Sequence, residues 1–393
     1  MSFAAITLSV LTAFAGRVES ASTPAKSCIT EPRPSTVADW MTRGNCLRET
    51  GDAEQALTAY QNALRLSPDG SRDLYLAMAQ TYEALGRADE QLATIQAAER
   101  LASNDPEVLY QAGIAYEVLD RYPEALEKFN KVVAIKPDDN RAHRNIGFVL
   151  LQQHQPEQAI APLRAAIEID PNDWKAHANL AEAYRATYAT LGKEMQALTA
   201  GPRAWAANDP AKLRHDEIGA KLRTFDYKNE AIKEAQEAAR LQPTDYRTWS
   251  RLGTMLQEQP QRADEAADAF KRALALSPND HDVMCKLAVA QKSARRYAES
   301  YATFESVVEK FGNEPWIPPI MGGLALDLGK LDMAEKHYRL AIQIDSRNGM
   351  SHYGLARTLK RLGRADEGDR ELGIAKTLQP QMASVMDSWY REP

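Results

Sequence analysis

A 34-residue period constrains this chain more than any other feature. Between residues 105 and 140, Leu109, Gly113, Tyr116, Ala125, Phe129 and Pro137 stand at fixed offsets, and similar offsets return from residue 37 to residue 382. Each unit carries two apolar patterns of helical spacing separated by turn residues. The proline then closes the second pattern, because it cannot continue a helix. Units of this kind pack only on their neighbours, so the core grows as a line. The 393 residues therefore need not divide into the globular domains that length alone would suggest.

Anchoring on a small residue at position 8, alanine at 20 and proline at 32 gives ten units: 37–70, 71–105, 106–139, 140–173, 174–211, 212–245, 246–280, 281–314, 315–348 and 349–382. The first carries Trp40, Gly44, Ala56, Tyr60, Ala63 and Pro68 in register; the seventh has one extra residue in its internal turn. The fifth begins in register with Trp174, Leu180, Ala181 and Tyr184 and then loses it. Its second helix should cover 194–207, where Gly201-Pro202 interrupts it; a mid-helix proline costs about 3 kcal/mol or more. The sixth recovers the pattern with Ile218, Gly219, Leu222, Ala231, Ala238 and Pro243.

The spacing W-x2-L-G-x2-Y, then A-x3-F, then P resembles the tetratricopeptide repeat (TPR). The resemblance implies an all-α, right-handed superhelical solenoid of about ten TPR helix-turn-helix units over 37–382, irregular at 174–211. A C-terminal segment, 383–393, would cap the last apolar face with Val385, Met386 and Trp389, as an open-ended solenoid requires.

The resemblance also implies a binding surface: the first helix of each unit lines a concave groove, with positions 2, 5, 6, 9 and 12 or 13 facing it. In the second and third units those positions are acidic and polar (Asp73, Gln80, Glu83, Glu107, Tyr110, Gln111, Glu117). Farther along they form the candidate peptide-binding groove: Arg141, Arg144, Asn145, Lys175, Asn179, Arg247 and Arg251. The ninth unit turns apolar with Trp316, Pro319 and Ile320. Asn145 and Asn179 at position 6 of adjacent units resemble the asparagine ladder of peptide-binding arrays such as O-GlcNAc transferase and kinesin light chain. An asparagine amide offers both donor and acceptor to a peptide backbone, and the arginines would attract an acidic segment or a terminal carboxylate. A stricter pattern, the two-carboxylate clamp of chaperone co-factors, resembles basic and asparagine positions in three consecutive units. In the ten-unit register its third place falls on Leu213 and Glu217, and the match fails. Were units five and six one repeat with an insertion, Arg144, Asn179, Arg247 and Arg251 would fill four places, with Phe148 replacing the first asparagine.

No phosphate-cradling glycine loop, G-x-S-x-G, H-E-x-x-H or zinc-ligand spacing is present. His143, His177 and His352 recur at position 4, where the repeat places a packing residue, so they read as structural rather than metal-binding. Acidic turns such as Pro137-Asp138-Asp139 and Pro278-Asn279-Asp280 read as helix caps. The expectation is a non-enzymatic scaffold with no cofactor and no metal that binds a protein or peptide, in cell-envelope assembly or export. The alternative is a regulatory or targeting subunit of an enzyme complex, such as a glycosyltransferase partner. A net charge of −6 gives no reason to expect nucleic acid.

Residues 3–15 form an apolar run with no lysine or arginine before it. Thirteen residues cannot span a bilayer as a helix, which needs about 20. The run fits the core of a signal peptide over 1–20, with Ala13-Phe14-Ala15 as a cleavage site, followed by a flexible lead-in over 21–36. No transmembrane segment would remain after cleavage, and the protein would be periplasmic or secreted; the alternative is a cytoplasmic protein with an apolar tail. An oxidising compartment would allow Cys28 to join Cys46, leaving Cys285 over.

Overall fold

The computed structural model describes Cys28, residues 34–200 and residues 209–391. The expected signal peptide and the Gly201-Pro202 break lie outside the described residues, as does the Trp389 side chain. The described residues form an all-α fold of twenty α-helices with no strand. None of these helices is long and apolar enough to cross a membrane. The chain divides between Ala142 and His143 into two compact units.

The first unit holds α1 (Val37–Glu49), α2 (Ala53–Leu66), α3 (Arg72–Ala84), α4 (Ala88–Leu101), α5 (Pro106–Val118), α6 (Tyr122–Ile135) and the start of α7 (Asn140–Gln152). Its helices pair as α1 with α2, α3 with α4, and α5 with α6. Cys28 is joined to Cys46 by a disulfide with a Cα separation of 5.7 Å. It is buried beside Leu47, Tyr60 and Leu74.

The second unit continues α7 and adds α8 (Pro156–Ile169), α9 (Trp174–Thr199), α10 (Pro210–Thr224), α11 (Tyr227–Leu241), α12 (Tyr246–Gln257), α13 (Ala263–Leu276), α14 (His281–Ser293) and α15 (Tyr297–Phe311). It ends with α16 (Ile317–Asp327), α17 (Leu331–Ile344), α18 (Gly349–Arg361), α19 (Ala365–Leu378) and α20 (Ala383–Arg391). On α20, Met386 is fully buried against Tyr353, Leu372 and Ala375.

The pairs form because the first helix offers a small residue where the second offers a large one. A Cβ on Gly253 would lie 2.8 Å from the Phe270 ring, and one on Gly322 would lie 2.9 Å from that of Tyr338. Gly113 under Phe129 and Gly44 under Tyr60 repeat the contact. Close helix approach is set by such contact side chains. Side chains of Ser71, Asp105, Asp173, Asp245, Asp280 and Asn348 accept backbone N–H groups at the start of the helices that follow them. That satisfies donors which no helix can pair internally.

The register corrects itself in the middle of the chain. No turn separates a first from a second helix within Trp174–Thr199: α9 runs unbroken for 26 residues, through the start of the expected second helix. Its partner is α11, with α10 packed lightly on α9. Units five and six are therefore one helix pair with an insertion, and the described residues hold nine pairs rather than ten. The turns show why. Seven first-to-second turns place a residue at positive φ: Gly51, Gly86, Asp120, His154, Arg295, Gly329 and Gly363. An eighth uses the 3-10 turn Pro260–Arg262. The corresponding position in α9 is Tyr188, a bulky residue for which φ above zero is costly, so the helix continues. Gly219 sits under no large residue of α11; its nearest neighbours are Arg223 and Met195.

The histidines give the same answer. His352 Nδ1 lies 2.6 Å from Glu371 Oε2 on the second helix of its pair, and its Nε2 lies 3.1 Å from the Ser346 carbonyl. His177 reproduces this with Glu234 Oε2 at 2.5 Å and the Pro171 carbonyl at 3.0 Å. Glu234 is on α11, which thus occupies the place of the second helix. Burial opposes charge on His177, but the Glu234 carboxylate and the Pro171 carbonyl outweigh it and raise the ring's pKa.

A raised folded pKa means that this stabilisation is complete below the unfolded value, about 6.5, and is lost as pH rises through the folded value. The gap in unfolding temperature between the native protein and His177→Gln should narrow from about pH 5.5 to about pH 8.5. A gap independent of pH would contradict the assignment.

Candidate binding cleft

With α10 set aside as an insertion, α7, α9 and α12 are the first helices of three successive pairs. They meet around a cleft of about 310 Å³ within the second unit. Phe148, Leu151, Pro156 and Ala186 give it apolar walls; Gln152, Asn179, Thr190 and Arg251 bring polar groups. Glu182 also lines it, its carboxylate held by Arg185 at 2.6 Å and 2.9 Å.

The candidate groove residues fall into two classes. Arg144 is committed internally, its guanidinium 2.6 Å from Asp173 in a contact that leaves the two side chains 17% and 5% exposed. Asp173 also caps α9 through the Lys175 and Ala176 N–H groups, so Arg144 steadies the start of that helix. Asn145 is buried at 8% exposure, its Oδ1 accepting from Arg144 Nε at 3.4 Å. Arg141 belongs to the first unit, where it contacts Glu107 at 3.0 Å and Asp139 at 3.1 Å and lies over the Tyr110 ring.

The other class points outward. Asn179 and Arg251 both line the cleft, and neither side chain has a partner among the described residues. Lys175 and Arg247 are exposed; their cationic groups lie 5.8 Å and 5.5 Å from the Trp174 and Tyr246 ring centroids, respectively. Lys175 and Asn179, like Arg247 and Arg251, are four residues apart and so share a helix face. The structure thus brings Asn179 and Arg251 together, and leaves Lys175 and Arg247 one turn along the same two helices. Thr190 escaped the sequence reading because it lies on the part of α9 that was expected to be a turn.

The remaining cysteine, Cys285, has its Sγ 3.6 Å from His281 Nε2, which also lies 2.7 Å from Glu314 Oε1. Burial, with the negative charges of Glu314 and Asp282, pushes the Cys285 thiol up to about 11, away from the thiolate that a nucleophile needs. Among the described residues no cluster of three His, Cys, Asp or Glu side chains is arranged to hold a metal ion.

Arg144→Ala should lower stability by about 1–3 kcal/mol in urea unfolding, because it removes the guanidinium paired with the buried Asp173 carboxylate. Arg251→Ala should change it by less than about 0.5 kcal/mol, as for an exposed side chain without a partner. Equal losses would remove the distinction between the two classes.

Models of the tetratricopeptide repeat match residues 35–141, 110–173, 163–199, 228–281 and 320–348. No curated protein matches the chain. Among solved structures, a monomeric mutant of IFIT1 is similar over 90% of this chain and 74% of its own, at 14% identity and a TM-score of 0.50. MamA from Desulfovibrio magneticus RS-1 is similar over 53% and 96%, at 24% identity and a TM-score of 0.40. PilF of Pseudomonas aeruginosa is similar over 64% and 99%, at 22% identity and a TM-score of 0.41. At 14% identity the likeness to IFIT1 speaks to the fold alone. Tetratricopeptide repeats are in general non-catalytic scaffolds that bind proteins. With the matched segments covering most of the chain, it belongs to the tetratricopeptide repeat family.

Proposed function

We propose that this protein is a non-enzymatic scaffold that captures a polypeptide partner in the cleft of its second unit, gripping an acidic segment or a chain-terminal carboxylate. The observation that carries this reading is that Asn179 and Arg251, both unengaged, line one cleft together with Phe148. A guanidinium and an amide lining one cleft suit a carboxylate and the adjoining peptide group. The apolar walls suit the neighbouring side chain. Lys175 and Arg247 extend positive charge away from the cleft and attract an acidic segment before contact.

The single insertion-bearing pair is what makes the clamp-like spacing continuous. Asn179, Arg247 and Arg251 then occupy its places in consecutive pairs, while Arg144, the fourth match, is bound to Asp173 and serves the scaffold. Phe148 stands where the pattern has an asparagine, which favours an apolar contact over a second amide grip.

The placement we propose is an oxidising compartment, periplasmic or extracellular, with a role in envelope assembly or export. The Cys28–Cys46 bridge favours such a compartment, and the apolar run at 3–15 has the length of a signal-peptide core. Protein recovered from its native compartment and alkylated unfolded without reductant should take up a single label, on Cys285. Three labels would place it in a reducing compartment.

Anisotropy titrations with a labelled acidic peptide bearing a free C-terminus test the cleft directly. Asn179→Ala combined with Arg251→Glu should weaken binding about tenfold or more, with unfolding temperature unchanged. Binding should also fall as salt rises. Undiminished binding by the double variant would reject the cleft.

A further inference from the structure

We infer that the cleft selects the free C-terminus of a polypeptide that carries a large apolar side chain about three residues before its last. This rests on the reading of Asn179 and Arg251 as a carboxylate grip, and adds to it a spacing and a direction.

The cleft is elongated, and its two ends differ. α7, α9 and α12 are first helices of successive pairs, and each second helix returns antiparallel, so all three run the same way. Asn179 and Arg251 are each sixth in their helices and stand at one level. Phe148 and Glu182 are each ninth, Leu151 is twelfth and Ala186 thirteenth. All six line the cleft. It is therefore polar at the level of Asn179 and Arg251 and apolar at that of Leu151 and Ala186, with the Phe148 ring along the way. Asn179, Glu182 and Ala186 are three and four residues apart and share one face of α9. At 1.5 Å per residue, Asn179 to Ala186 spans about 10 Å. An extended chain rises about 3.3 Å per residue, so about three residues join the two ends.

The charges favour a single carboxylate. Arg251 brings a guanidinium to the polar end, whereas Glu182 lies farther along the path, so a second acidic residue behind the first would meet a carboxylate. They also favour a chain terminus over an aspartate. Side chains alternate along an extended chain, so those three apart point to opposite sides. An aspartate held at the polar end would turn the third side chain away from the apolar wall. A terminal carboxylate lies on the chain axis and leaves that side chain free to reach Leu151 and Ala186.

The test uses the full chain and peptides of glycine and serine, labelled at the N-terminus and free at the C-terminus, read by anisotropy at low salt. A single leucine stands at the last position, three before it or six before it. Leucine three before the last should bind about tenfold more tightly than either other placement, as burial of one such side chain allows. The same peptide, amidated and ending in aspartate, should bind about tenfold more weakly. Ala186→Leu, which fills the apolar end, should erase the preference for that placement. Equal affinity for the three placements, or a preference that survives Ala186→Leu, would overturn the spacing. Equal affinity for the amidated aspartate peptide would overturn the terminus. Asn179→Ala with Arg251→Glu separates the two readings. If it weakens every peptide while placement has no effect, the spacing alone fails; if it weakens none, the cleft itself fails.

Discussion

A small residue on one helix lying beneath a ring or branched side chain on the next is the contact on which this molecule depends. Gly113 under Phe129, Gly253 under Phe270 and Gly322 under Tyr338 show the same arrangement. Each such contact draws two helices to close range, and side chains such as Phe129, Phe270 and Phe304 become fully buried in the process. Burying one such ring removes enough apolar surface from water to be worth about 1.5–3 kcal/mol. Repeated along the chain, a modest local interaction replaces the single large core of a globular domain.

The same contact explains where regularity stops. Ala181 and Tyr184 give α9 a normal opening, but nothing at Tyr188 favours a left-handed residue, and the helix runs past the usual turn. The pairing surface it presents is then met by α11, whose Ala231 and Ile232 are buried in the same cluster. Helix α10 buries only Ile218 and Gly219, with half-exposed ion pairs from Arg214 to Glu194 and from Lys221 to Glu157 beside them. The cleft follows from this local irregularity. It aligns α7, α9 and α12 in succession and adds Thr190 of the extended helix to the cleft wall.

Most of the fold was legible in the sequence because its signals are local and repeated. Glycine, alanine and proline positions recur at fixed offsets, so a chance match in one unit is checked by the others. The insertion was not legible because Gly219 and Leu222 happen to fall on repeat offsets while lacking the partner that gives those offsets meaning. The stronger signal was the absence of a turn residue near Tyr188. The sequence places the candidate residues on the first helices of their pairs but does not show their states. Arg144 and Arg251 look alike in sequence, and only the Asp173 carboxylate, brought alongside by folding, separates a structural arginine from an available one. Asn145 is buried where the repeat pattern expects an exposed amide, its Oδ1 accepting from Arg144 Nε.

Native-state hydrogen exchange, resolved by helix, bears most directly on the pairing of α9 with α11. Packed helices open together, whereas an element held by a few contacts opens alone and at lower free energy. The account predicts that amides in Trp174–Leu191 and in α11 share one high protection level, with those in α10 exchanging markedly faster. Protection shared by α10 and α11, with α9 exchanging apart from them, would contradict it.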